Sequence, residues 1–146
     1  MPEVLTLLTP NAARVVAARD LSVLAGNRVV ESYFDAGILP RPPLGLVLVA
    51  PCSFNSLNKL AAGIADNLAL SVTAEAIGRG TPVVVAVSVN EPLWRHPLAR
   101  ASVATLRSWH VSVIEPRDEG SGLRLAPSEL ILAEVARRLA AWRTAS

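Results

Sequence analysis

The sequence predicts an α/β fold: a single domain of three layers, with a parallel sheet covered by helices on both faces. Three observations predict it. Runs with strand composition alternate with runs of helical spacing along the chain. Three of the strand runs, VLTLLT at 4–9, LVLVA at 46–50 and VVVAV at 83–87, are apolar at successive positions and not at alternate ones. Each run stops at a proline or a serine before a helical pattern begins. Strands buried on both faces read in this way, and parallel neighbours need a long crossover, usually a helix. At 146 residues the chain is the size of one domain, residues 1–146, and is large enough to bury a core without staples.

The elements follow in order. Residues 4–9 form a buried strand halted by Pro10. Asn11 is placed to cap a helix with apolar positions at Val15, Val16, Leu21 and Leu24, which Gly26 ends. Gly37, Pro40, Pro42 and Pro43 break any pattern between 29 and 44, so an irregular connection is expected there. Strand 46–50 stops at Pro51, and Leu57, Leu60, Ala61, Ile64 and Leu68 then recur at helical spacing. A second helical stretch through 74–77 ends in Gly78 and Gly80. After strand 83–87, a helix begins near Pro97 and presents Ala99, Val103 and Leu106 on one face. Residues 111–114 are the fourth strand, 120–122 a glycine loop, and Ser128 the N-cap of a last helix that aligns Ile131, Val135, Leu139 and Trp142.

Composition removes several function classes. No apolar run approaches the roughly 18–20 residues of a membrane span. Residues 1–8 contain Pro2 and Glu3 and no basic stretch, which does not describe a signal peptide, so a cytoplasmic location is expected. Cys52 is the one cysteine, and His96 and His110 are the two histidines, so neither an internal disulfide nor a metal site is expected. The sequence pI is 9.3, but the formal charge is +2 and the arginines are spread along the chain. A nucleic-acid surface needs them on one face. Arg137, Arg138 and Arg143 on the last helix read as a solvated face.

The chemistry is concentrated in two polar elbows. The first is PCSFNS at 51–56, followed by Gly63, Ile64, Ala65, Asp66, Asn67 and Leu68; the second is VSVNEPLW at 87–94. A hydroxyl and a carboxamide just beyond a strand end, beside a helix N-terminus, suit a phosphate or a polar ring edge. Ser53 and Asn55 are therefore cofactor candidates; alternatively, Asn55 and Ser56 only cap a helix starting at Leu57. Asp66 and Asn67 sit inside a predicted helix, either as solvated polar residues or with a tertiary role. Cys52 has no paired base nearby in sequence and reads as a packing residue.

Together these segments resemble the flavoprotein superfamily of homo-oligomeric flavin-containing cysteine decarboxylases, the phosphopantothenoylcysteine decarboxylase-like proteins. There the first elbow reads PASANT before a GIADNL helix and the second PAMNxxMW. The resemblance runs from about residue 4 to 130. It implies a Rossmann-like doubly wound sheet, FMN as cofactor, and a trimer or dodecamer, or a hetero-oligomer with a second flavoprotein chain, acting on a small-molecule or peptide thiol. It implies FMN contacts at Ser53 and Asn55 and weaker ones at Asp66, Ser88 and Thr9, the last beside Asn11. Asn90 matches the family's catalytic Asn, whose neutral carboxamide holds the carboxylate that leaves as carbon dioxide. Trp94 matches the Trp of the motif, and His96 reads as a residue that positions the next helix.

The chain also departs from the pattern. Val87, Ser88 and Val89 replace Pro, Ala and Met, and Leu93 replaces the second Met. The family's His, thirteen residues before the first elbow, falls at Gly37, and residues 117–127 (RDEGSGLRLAP) lack the cysteine of the phosphopantothenoyl enzymes. The chain aligns from the family's second strand, without the first strand and its glycine-rich loop. Another polypeptide, an upstream start or a rearranged sheet is expected to compensate, direct pairing of 4–9 with 46–50 being the sign of rearrangement. Two functions follow: an FMN subunit in decarboxylation or redox chemistry whose base comes from a neighbouring or second flavoprotein chain, or an inactive structural or regulatory partner. A nucleotide-binding domain unrelated to flavin is a third, weakened by the absence of GxGxxG.

Overall fold

VVVAV at Val83–Val87 is buried at all five positions, which makes it the middle strand of the parallel sheet. The computed structural model describes residues 4–35, 38 and 45–145. Its strands are β1 (Val4–Thr6), β2 (Asn27–Val29), β3 (Val47–Cys52), β4 (Val83–Val87), β5 (Ser112–Ile114), β6 (Arg117–Asp118) and β7 (Leu123–Arg124). Its helices are α1 (Ala18–Ser22), α2 (Phe54–Ala62), α3 (Leu68–Arg79), α4 (Glu91–Arg95), α5 (Pro97–Ser108) and α6 (Ser128–Ala145). β3, β4 and β5 lie in that order, all parallel, with Val49 opposite Val85 and Val85 opposite Val113.

Helices cover both faces of β4. Val83, Val85 and Val87 share the main core with Leu57 and Leu60 of α2 and with Ala99, Val103 and Leu106 of α5. Ala86 points the other way, into a cluster with Ala126, which precedes α6, and Ile131 of α6. Three layers follow from one strand whose two faces are both apolar. Along α6, Ile131 is buried and Val135, Leu139 and Trp142 are half-buried. Ser128, however, is the first residue of that helix, and the Pro127 carbonyl accepts from the Leu130 and Ile131 amides at 3.0 and 3.2 Å.

Three sequence expectations are corrected. The helix expected through Leu68 stops at Gly63, whose φ of 73° is the left-handed cap that glycine adopts without strain. Asp66 is therefore in a loop, and Asn67 caps α3, which absorbs the separate stretch expected at 74–77. The helix expected after Asn11 is a 3-10 turn, Ala12–Arg14, followed by the five residues of α1. Asn11 makes no capping bond; Thr9 Oγ1 accepts from the Ala12 amide instead, at 3.1 Å, and Val15 stays 85% exposed. Residues 27–29, expected at the edge of an irregular stretch, form β2, which pairs with β1 in parallel. Gly37 lies outside the described residues.

β1 and β2 form a sheet of their own, and among the described residues β1 does not pair with β3. Direct pairing, the sign of a rearranged sheet, is not what the chain adopts. The α3 helix serves both sheets. Its Leu68 and Val72 join Leu5, Leu7, Val30 and Ile38, while its Leu70 and Ala76 belong to the main core.

Candidate functional site at the paired strand ends

Parallel pairing of β3 and β4 brings the two elbows to neighbouring strand ends. The register places Cys52 opposite Val87, and the Ser88 amide donates to the Cys52 carbonyl at 2.9 Å. A register shift between Val49 and Cys52 ends the regular ladder just before the first elbow.

In the first elbow Ser53 takes extended backbone angles and caps α2. Its Oγ accepts from the Ser56 amide at 3.2 Å, and its carbonyl accepts from the Leu57 amide at 2.9 Å. The expectation that Asn55 and Ser56 cap a helix beginning at Leu57 is thereby corrected: Ser53 is the cap and the helix starts at Phe54. The amides of Phe54 and Asn55 lie before the first intrahelical bond, at the positive end of the helix dipole. The Asn55 carboxamide is exposed and has no hydrogen-bond partner among the described residues. These groups can hold a phosphate or a polar ring edge.

In the second elbow Asn90 caps α4, its Oδ1 accepting from the Leu93 amide at 3.0 Å. That bond fixes the carboxamide and leaves the Nδ2 hydrogens directed to the exposed rim as neutral donors. The α4 helix lasts five residues and hands over to α5 through His96, whose Nδ1 accepts from the Leu98 amide at 3.0 Å. An Nδ1 that accepts leaves the proton of the neutral ring on Nε2. Trp94 is buried below, with the Arg100 guanidinium 4.5 Å from its ring centroid.

Two contacts lock the elbows to each other. Phe54 meets His96 edge to face at 5.4 Å, and one turn further down Ser102 Oγ donates to Asn58 Oδ1 at 2.7 Å. The sequence did not single out Phe54; the signal was an aromatic residue directly after the capping serine.

The other candidates differ in what they contact. Ser88 is half-buried beside the second elbow, and its hydroxyl has no partner among the described residues. Thr9 follows β1, in the other sheet, and spends its hydroxyl on the Ala12 amide. Asp66 is held by Lys59 at 2.8 Å, which pulls its carboxyl below the usual range, and Lys59 sits roughly 9 Å along α2 from Ser53. Cys52 is fully buried, and desolvation pushes its thiol up to about 12, which removes it as a nucleophile. Glu91 is paired with Arg95 at 2.6 Å and Glu115 with Arg107 at 3.2 Å. His110 follows α5 and its capping Trp109, just before β5. No group of three metal-ligating side chains occurs among the described residues.

Comparison with known proteins adds an independent line. The Flavoprotein family matches residues 3–140. The Coenzyme A biosynthesis bifunctional protein CoaBC of Thermococcus kodakarensis is 28% identical over 145 residues, covering 94% of this chain and 35% of that protein. The chain thus spans about a third of the length of such relatives. A probable phosphopantothenoylcysteine decarboxylase of Streptococcus mutans is 29% identical over 147 residues, covering 91% of this chain and 81% of its own length. Among solved structures, an EpiD variant complexed with the substrate peptide DSYTC superposes with a TM-score of 0.78 at 22% identity, covering 92% of this chain and 82% of that one. The FMN-dependent cysteine decarboxylase TvaF gives 0.75 at 23%, covering 96% and 82%. At such identities the structures establish a common fold.

Proposed function

Because the chain belongs to the Flavoprotein family, we propose that it binds FMN at the paired elbows and forms the Asn90-bearing part of a cysteine decarboxylase. The observation that carries the reading is the Cys52–Val87 register, which sets Asn55 and Asn90 at adjacent strand ends. The residues fit the group: α2 offers first-turn amides to an anion, and the Asn55 carboxamide and Ser88 hydroxyl are uncommitted among the described residues.

Bound FMN would supply a two-electron acceptor beside the thiol-bearing carbons. The protein's own part is to orient and desolvate. Asn90 Nδ2 would hold the substrate carboxylate with a neutral donor, so the group that must depart as carbon dioxide is not locked in an ion pair. Buried Trp94 and the Phe54–His96 pair make the apolar floor. His96 keeps its ring orientation through the Leu98 amide, which occupies the Nδ1 lone pair that a base would use. The base would come from a neighbouring subunit. Val15, Val16, Val23 and Leu24, all exposed on one short segment, offer apolar surface for such an assembly. A strand from another segment of polypeptide would occupy the edges of β1 and β3 that lack neighbours among the described residues.

The commitment of His96 also favours a second reading, a partner subunit that binds flavin without turning over. One experiment separates them. FMN is titrated into the protein by flavin fluorescence, and carbon dioxide release is then measured from a peptide with a C-terminal cysteine. Binding with release supports the decarboxylase, and binding without release supports the partner. Absence of binding, at any assembly state seen by native mass spectrometry, overturns both.

A further inference from the structure

A cleft of about 320 Å³ opens at the amino ends of β4 and β5, where Val83 begins one strand and Val111 leads into the other. The elbows lie at the carboxyl ends, so the length of β4 separates the two places. Trp109, His110, Arg79 and Arg138 line the cleft together with Gly78 and Gly80. Nothing lies within 4 Å of where a Cβ would stand on either glycine, so the end of α3 leaves the cleft open.

Basic residues beside the ends of α3 and α5 have an ordinary explanation as helix caps. The terminal carbonyls, however, are already served by backbone. The Gly80 and Thr81 amides donate to the Ile77 and Ala76 carbonyls at 3.2 and 3.0 Å, and the Trp109, His110 and Val111 amides to those of Leu106 and Arg107 at 3.0 to 3.1 Å. Arg79 makes no ion pair and the His110 ring no hydrogen bond among the described residues. Arg138 Nη1 donates to Ser112 Oγ at 2.7 Å, which holds the side chain and leaves its other donors open. No carboxylate lines the cleft among the described residues. Glu134, which feels the Arg138 charge, is taken up by Arg137 and Ser112.

Two further features point to a ligand. His110 has a φ of 64°, a left-handed angle that glycine adopts freely and a residue with a Cβ does not. An imidazole therefore stands where glycine would relieve the backbone, and such outliers gather at binding sites. Trp109 is 43% exposed, which leaves indole surface free to stack. An open indole beside two guanidiniums and an imidazole, with no acid among them, suits a planar aromatic ring that carries an anion. The volume is at the small end of ligand pockets, room for one mononucleotide.

We propose that this cleft is a second binding site, which takes a nucleoside monophosphate with its base on Trp109 and its phosphate among Arg79, Arg138 and His110. The inference does not depend on flavin at the elbows.

The test is calorimetric titration of the full chain with adenosine monophosphate, adenosine and inorganic phosphate, each with and without saturating FMN. The monophosphate should bind at least about tenfold more tightly than adenosine or phosphate alone, because only it uses both halves of the cleft. Its affinity should be the same with and without FMN. Trp109→Ala and Arg79→Gln should each weaken it about tenfold, and Trp109→Phe, which keeps a stacking ring, should weaken it less. His110→Gly should raise the urea midpoint and still weaken the monophosphate, which a purely structural histidine would not do. Absence of saturable binding, loss of binding when FMN is added, or an affinity unchanged in both Trp109→Ala and Arg79→Gln overturns the site. If the chain takes no FMN, the functional reading fails separately, and the titrations without FMN decide the cleft.

Discussion

Phe54 and His96 meet edge to face, with ring centroids 5.4 Å apart and planes at 73°. Phe54 is the first residue of α2 and His96 the cap of α5, so one contact couples the starts of the two helices that follow β3 and β4. Asn55 directly follows Phe54, and Asn90 caps the short helix that ends at His96.

Phe54→Ala should therefore cost more in ligand binding than a surface change would. The aromatic pair contributes about 1 kcal/mol beyond its buried area, and Phe54 also packs on the main core. Urea unfolding should show a loss of about 2–3 kcal/mol, with FMN affinity falling as α2 loosens. Phe54→Leu should recover most of the stability and less of the affinity. Equal recovery of both would show that only volume matters at this position.

Asn90 has a capping role and a proposed binding role on different atoms. Asn90→Asp keeps the oxygen that accepts from the Leu93 amide and complements the helix dipole, so stability should hold within about 0.5 kcal/mol. The added charge repels a substrate carboxylate, and carbon dioxide release should fall at least a hundredfold while FMN binding persists. Asn90→Ala should lose the cap, about 1 kcal/mol, together with turnover. Full activity in the Asp variant would contradict the proposed contact.

The sequence showed most of the fold and both elbows because burial writes itself plainly: VVVAV could only be a strand covered twice. It did not show β2, since Asn27–Arg28–Val29 is three residues with a charge at its centre and gains its place from β1. It ran α2 into α3 because Ile64 and Leu68 continue the apolar spacing, whereas Gly63 ends the helix by backbone geometry that periodicity does not carry. Ile64 is in fact 45% exposed. Ser53 and Asn55 were visible as a pair, but their division of labour was not. Capping depends on where the strand releases the chain, and the register shift after Val49 fixes that point.

Cys52 should be silent in the native protein. Its thiol titrates near 12 where an ordinary one titrates at 9.0, because burial disfavours the thiolate. At neutral pH the folded chain should not react with a disulfide reagent, and labelling should follow the rate of unfolding in urea. The raised value also sets a sign. The protonated thiol's contribution is whole below 9.0 and declines as pH rises toward 12. Rapid native labelling would mean that the β3 end opens locally. Cys52→Ala should leave FMN binding intact and cost about 1 kcal/mol.

Glu134 ties α6 to β5 and should make that junction acid-sensitive. Its carboxylate receives the Arg137 guanidinium at 2.6 Å and the Ser112 hydroxyl at 2.7 Å, while Arg138 donates to the same hydroxyl at 2.7 Å. The Arg137 hydrogen bond and then the Ser112 one, against a desolvation cost, bring the carboxyl from 4.5 down to about 2. A carboxylate depressed on folding stabilises the native state fully above its unfolded value and loses that contribution as pH falls from 4.5 toward 2. Arg137 is 65% exposed, so solvent screening holds the effect to about 1 kcal/mol. Urea midpoints measured across this acid range should drop in the wild type more steeply than in Glu134→Gln, and the two curves should converge at the acid end. Ser112→Ala should flatten the curve in the same sense, because it removes the hydroxyl that both Glu134 and Arg138 share. Parallel curves for wild type and Glu134→Gln would show that the ion pair adds nothing to the docking of α6, which would then rest on the apolar cluster of Leu130 and Ile131 with Ala86 and Ala126 and on the Arg138–Ser112 bond.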